Sequence, residues 1–348
     1  MRSEDISPEY EEAEAKYAEA IEPYFLGVFD VEDEYYSKVV GDDADYFFDK
    51  TDFSFVIHND DLEWLLDDFV SVMMGETKYA CAYQQILNLE NPHVVVRYTC
   101  GDVDDENTRT SVVKRGKKCH LETPIASEFL GDDLYRTSFH HIATALHEVG
   151  HAMNECNSSS ENILPSLWEG VEIESLFVEE LFYLYLSQCA ERVANGLTSH
   201  YQDSSITKEN IEYWVKNARV ANHVDLFART AYAIMPDVEP DFDDKPFVAR
   251  YVVGEVYSKC LLEEYKKNPE MTMNTFYSFV KSNANISHFD EIAEALFPDL
   301  IKEERIACSA EQRLARSPHD VVVKKYAGIV ENEIQKLTTK SSSSDQNE

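Results

Sequence analysis

The sequence predicts a mainly helical protein with a small antiparallel β-sheet, on three observations. After Arg136 apolar residues recur at three- and four-residue intervals through most of the chain, the period of an amphipathic helix. A long run from Leu167 to about Ala194, closed by Gly196, contains the segment WEGVEIESLFVEELFYLYL, whose far half is apolar on nearly all sides, as in a buried helix. Between Lys78 and Arg115 the pattern changes to β-branched and aromatic blocks separated by turn formers.

Taken in order, residues 8–22 are rich in Glu and Ala and predict a polar helix. The acidic, aromatic stretch that follows reads as short helices packing an aromatic face, so that residues 1–75 form an N-terminal acidic helical region. The segments YACAYQQIL, HVVVRYTC and TRTSVVKR predict strands, broken by NP and DVDDEN. Lys114-Arg115-Gly116-Lys117-Lys118, the one basic cluster, offers a grip for a peptide C-terminus but reads first as a solvated hairpin turn. A helix over 142–153 precedes the polar loop CNSSSEN, and Pro165-Ser166 opens the long helix. Further helices are predicted at 207–235, 246–267, 272–283 and 288–297. The tail KSSSSDQNE is polar and low in complexity, which predicts disorder. The expected division is therefore 1–75, a main domain at 76–335 and a disordered tail at 336–348. No internal repeat is visible.

The 348 residues carry 66 acids against 31 bases, a formal net charge of −35. Such a surface repels nucleic acid and anionic membranes, which excludes both as primary partners. The seven cysteines are odd in number and form no CxxC pair, as expected of reduced thiols rather than a disulfide framework. The opening residues contain no apolar core of a signal peptide, and no run approaches the roughly 20 apolar residues of a membrane span. These features predict a cytoplasmic protein.

The chemistry concentrates at His147-Glu148-Val149-Gly150-His151. Ile142, Leu146, Val149 and Met153 form one apolar stripe of a helix. His147 and His151 then project together from another face, about one turn (~5.4 Å) apart. Two imidazoles so placed suit one tetrahedral zinc ion. Glu148, beside them, is placed to take the proton of an attacking water and pass it to a leaving amine. A zinc site needs a third protein ligand, and the helix WEGVEIESLFVEELFYLYL offers Glu169, Glu172, Glu174, Glu179 and Glu180. Glu172 and Glu174 point about 200° apart around its axis, so only one faces the metal. Periodicity does not choose between them. His140 lies near the face of His147, where it touches substrate or simply packs. His141, His223 and His288 have no ligand spacing.

Thr144-x-x-His147-Glu148-x-Gly150-His151-Ala152-Met153 resembles the zinc helix of the thimet oligopeptidase and oligopeptidase F family. That resemblance implies a zincin-like helical metallopeptidase domain that binds Zn2+ and cleaves short peptides. The family's downstream glutamate segment is similar to the run holding Glu172, Ser175, Phe177 and Glu179. On that likeness Glu172 is the third ligand, and Glu179 is an acid able to orient a zinc histidine. The segment from Phe247 to Tyr257 is similar to the family's late tyrosine-rich segment, which implies that Tyr251 hydrogen-bonds the substrate carbonyl. Val248 and Asp244 stand where the family has further tyrosines. The likeness covers roughly residues 110–300, the catalytic half, and the family's walling N-terminal half is longer than residues 1–75. The sheet's edge is expected to pair with an extended peptide substrate. Two rivals are a non-catalytic peptide- or protein-binding protein with the same fold, favoured by the shorter N-terminal half, and a zinc hydrolase of non-peptide amides.

Overall fold

One long helix packs against four others, and its amino end carries the candidate third ligand. The structure is a computed structural model, which describes residues 25–41, 53–101, 111–115, 118–157, 170–234, 245–282, 289–307 and 317–344. The expected helix at 8–22, the helix start at Pro165-Ser166, and Glu169, Asp244 and His288 lie outside these residues.

The described chain is mainly helical. Helix α1 (25–35) continues into a π-helical turn at Tyr36–Val40. Strand β1 (Ser54–His58) leads into α2 (Asn59–Met74) and α3 (Lys78–Leu87). Five strands follow: β2 (Val94–Cys100), β3 (Ser111–Arg115), β4 (Lys118–Ala126), β5 (Glu128–Gly131) and β6 (Leu134–Ser138). The remainder is helical: α4 (Phe139–Asn157), α5 (Val171–Gly196), α6 (Lys208–Ile234), α7 (Lys245–Lys267), α8 (Pro269–Ser282), α9 (Phe289–Leu296), α10 (Pro298–Ala307) and α11 (Pro318–Ser344).

The segment 79–87, expected as a strand, is helix α3. Its aromatics suggest a strand, but Tyr79, Ala80, Tyr83, Ile86 and Leu87 are buried at helical spacing. Thr77 caps it by accepting the Ala80 amide at 3.1 Å. The N-terminal region is not wholly helical either, since β1 lies within it. Its short alternation, with Phe55 and Ile57 buried, sits among acidic helix-like stretches that obscure it.

The strands form two three-stranded sheets, ordered β1-β6-β5 and β2-β4-β3. The first is antiparallel throughout. The second pairs β3 antiparallel to β4, with Arg115 opposite Lys118, and β2 parallel to β4. Between β5 and β6, Asp132 and Asp133 both take positive φ (51° and 59°), as a two-residue hairpin of right-handed strands requires. The carboxyl-terminal helix runs to Ser344, into the segment expected as a tail.

Helix α5 packs against α2, α4, α6 and α7. Leu181, Phe182, Tyr185 and Leu186 are all fully buried, so this helix is enclosed on every side through its middle turns, and polar residues reach solvent only past Leu186, at Ser187, Gln188, Glu191, Arg192 and Asn195. Each large apolar side chain buried this way contributes about 1.5–3 kcal/mol. A Cβ on Gly196 would fall on the Trp64 ring of α2, with atoms 2.0 and 2.1 Å away, so the close approach there requires glycine. Elsewhere Glu32 of α1, His223 of α6 and Glu333 of α11 tie three helices through the His223 ring. No helix among the described residues is long and apolar enough to cross a membrane, and the five described cysteines (Cys81, Cys100, Cys119, Cys189 and Cys260) are free thiols.

Candidate metal centre

Helix α4 begins directly after β6 and crosses α5 where Gly150 meets Ser175. A Cβ on Gly150 would lie 2.9 Å from the Ser175 Cα, closer than real Cβ contacts. On the other side of α5, a Cβ on Gly254 of α7 would lie 2.8 Å from the Glu172 Cβ and 2.5 Å from Leu176 Cδ1. Two glycines thus let α4 and α7 close on the first turn of α5, with Glu172 between them.

His147 Nε2 lies 3.4 Å, and His151 Nε2 3.2 Å, from the same oxygen, Oε2 of Glu172. The rings are 4.7 Å apart and nearly perpendicular at 83°. Three donor atoms at the corners of a tetrahedron with metal bonds of 2.0–2.1 Å stand about 3.4 Å apart. The N, N, O donor set and its spacing therefore fit zinc. Glu174 does not compete: it is fully buried and accepts a hydrogen bond from the Tyr79 hydroxyl at 3.1 Å, away from the histidines.

Glu172 sits in the first turn of α5, where the helix dipole favours a carboxylate. The Ser175 hydroxyl bonds its carbonyl at 3.0 Å and leans on its carboxylate at 3.4 Å. Burial is the strongest influence on this carboxyl and pushes it up. The charges and hydrogen bonds of His151 and His147 together outweigh burial and hold Glu172 well below the usual carboxylate range.

Glu179, two turns along α5, meets the other nitrogen of His147. Its Oε1 is 2.5 Å from Nδ1, and its Oε2 accepts the Tyr183 hydroxyl at 3.2 Å. Burial lowers the proton affinity of His147, but Glu179, Glu172 and Glu148 outweigh it and raise its pKa well above the ordinary value, and the carboxylate at Nδ1 fixes the ring so that Nε2 faces the centre. Burial pushes the Glu148 carboxyl up although His151 and His147 pull it down. Tyr251 stands within electrostatic reach of Glu172 and Glu148; burial first, then Glu172, raises its phenol far above the ordinary value, so it is a neutral O–H. The Arg229 guanidinium covers its ring at 4.4 Å.

The structure thus gathers His147, Glu148, His151, Glu172, Glu179 and Tyr251 in one region. His140 is exposed, and His141 bonds Ser138 and the Gly101 carbonyl. Val248, where the family resemblance calls for a tyrosine, is fully buried. Sequence reasoning missed Gly254, Arg229 and Asn154. Asn154, three residues past His151 and buried, has both polar side-chain atoms without a hydrogen bond among the described residues. Its polarity at helical spacing from both histidines was the available signal. No protein-family model matches the chain, and no curated protein or solved structure does either.

Proposed function

We propose that this chain is a zinc-dependent metallopeptidase of zincin-like helical fold, allied to the thimet oligopeptidase and oligopeptidase F family, that hydrolyses short peptides. The observation that carries the reading is the convergence of two imidazole nitrogens on one Glu172 oxygen, with Glu148 beside them on the same helix. A purely structural ion has no use for that extra acid.

His147, His151 and Glu172 hold the metal, which when bound supplies Lewis-acid polarisation and makes water acidic enough to attack at neutral pH. Glu179 fixes the tautomer and angle of His147. Glu148 takes one proton from the water as its oxygen bonds the peptide carbonyl carbon. The same carboxyl returns that proton to the amide nitrogen as the C–N bond breaks, so acid and base are one group. Its raised affinity for protons suits it to both halves. The neutral Tyr251 hydroxyl donates a hydrogen bond to the carbonyl oxygen as negative charge develops there. The buried amide of Asn154, without a hydrogen bond among the described residues, offers a donor and an acceptor on the same helix.

The test is metal content together with cleavage of a quenched-peptide library, with and without chelator, for the wild type and Glu148→Gln. One zinc at this centre, chelator-sensitive cleavage and a fall of about 10²–10⁴-fold in Glu148→Gln with zinc retained are expected. Full cleavage by Glu148→Gln, or cleavage indifferent to chelator, overturns the mechanism. Bound zinc without any cleavage assigns the chain to peptide binding instead.

A further inference from the structure

We propose that His58, Asp60 and His200 form a second, surface site for a first-row divalent transition ion such as zinc, cobalt or nickel. The site would clip the loop after α5 to the start of α2. It is separate from the centre above and does not depend on peptidase activity.

His58 and Asp60 are two residues apart and His200 comes from far along the chain; each offers one donor atom, all within 4.8 Å of one another. His58 Nδ1 lies 3.7 Å, and His200 Nε2 3.8 Å, from the same oxygen, Asp60 Oδ2. Those separations are too long for hydrogen bonds. They exceed by a few tenths of an ångström the roughly 3.4 Å edge of a tetrahedral zinc site, a gap that small rotations of exposed side chains close. The rings lie face to face, 5.1 Å apart and 22° from parallel.

Each histidine is presented in the state a metal needs. Asp61, only 1% exposed, places Oδ1 2.5 Å from His200 Nδ1 and accepts the His200 backbone amide through Oδ2 at 3.1 Å. A buried carboxylate on one ring nitrogen, with the other turned outward, is the arrangement that orients and strengthens metal-binding histidines. His58 Nδ1 accepts the Asp60 amide at 3.2 Å, so it carries a lone pair and not a proton. Coordination would exchange that long bond, leaving the amide to water at an exposed helix start.

The positive end of α2 opposes a cation, but Asp60 and Asp61, both in its first turn, offset that partial charge. Two imidazoles and one carboxylate select borderline ions over calcium or magnesium, which prefer all-oxygen sites. The loop is already held at Val56, whose amide donates to Asp203 Oδ2 at 2.8 Å, so the donors are pre-positioned.

Equilibrium dialysis of the full chain against zinc, with cobalt absorption spectra, tests the site. Asp60→Asn and His200→Gln should each lose about one ion per chain relative to wild type, while keeping the ion that His151→Ala loses. Zinc should raise the wild-type unfolding temperature by several degrees more than it raises that of Asp60→Asn. Circular dichroism checks that both variants fold, and both alter side chains at least half exposed. Equal stoichiometry in wild type and both variants overturns the proposal. Loss of the ion in Asp60→Asn but not in His151→Ala would sustain this site while refuting the other centre.

Discussion

His147 and His223 are both buried imidazoles with a carboxylate at each nitrogen, yet their surroundings differ in one respect. His147 has Glu179 at 2.5 Å and Glu172 at 3.4 Å; His223 has Glu32 at 2.8 Å and Glu333 at 3.0 Å. At His147 the neighbour sharing the second carboxylate is another imidazole, His151. At His223 it is an ammonium, Lys259 Nζ, 3.2 Å from Nε2. Lys259 brings a fixed positive charge into its cluster. The other cluster has two histidines facing Glu148, Glu172 and Glu179, so its positive charge must arrive as protons or as a dication. Buried carboxylates left without such charge are costly. The same groups therefore brace three helices in one place and gather the donor set of a candidate metal site in the other.

The largest effects should separate the two clusters completely. Glu172→Ala is expected to weaken zinc binding by more than about 100-fold, since removing even an outer partner of a ligand costs 10–100-fold. Glu32→Ala should leave zinc content unchanged but destabilise the fold by about 3–5 kcal/mol. It strips a fully buried partner from His223 and also removes the acceptor of the Tyr326 hydroxyl. Metal analysis beside urea unfolding reads both, and zinc loss in Glu32→Ala would break the distinction.

Much of the candidate metal centre was legible because one helix supplies three of its residues. His147, Glu148 and His151 follow from spacing, and the buried character of α5 followed from its all-round apolarity. Periodicity left Glu172 and Glu174 open because both are acids in a buried turn; the tertiary fact that decides is Tyr79, from a segment misread as a strand. Also illegible was Gly254, whose role exists only once α7 lies on α5. The pairing of β1 with β6 spans some eighty residues with no local signal, and the Asp132-Asp133 turn lacks the glycine that usually announces such a hairpin.

A smaller effect is expected where Glu179 only orients His147. Glu179→Gln should lower zinc affinity by about 10–100-fold without abolishing binding, since the amide still accepts at one position but carries no charge. Isothermal titration against a competing chelator measures it, and an unchanged affinity would reduce Glu179 to an ordinary helix acid. Gly254→Ala acts on the same centre through packing. The added methyl must displace Leu176 or the Glu172 backbone, at a cost of about 1–3 kcal/mol. Because it pushes on Glu172, zinc affinity should fall with stability. An equivalent change at Gly328, where a Cβ meets nothing within 4 Å, should leave zinc binding untouched.

The least effect sharpens the comparison from the side of His223. Burial and the nearby Lys259 lower its proton affinity, but Glu32 and Glu333 prevail, and its pKa stands above the ordinary 6.5. The folded chain then holds a proton that the unfolded chain releases once the pH passes 6.5. The stabilisation from this imidazolium is therefore complete below that pH and is lost as pH rises through the folded value. Urea midpoints measured upward from pH 6.5 should decline more steeply for wild type than for His223→Gln. Protonation at the metal centre is common to both proteins and cancels in the difference. Parallel declines would mean that His223 is neutral between its two carboxylates, leaving the fixed charges of Lys259 and Arg219 to distinguish its cluster from the candidate metal centre.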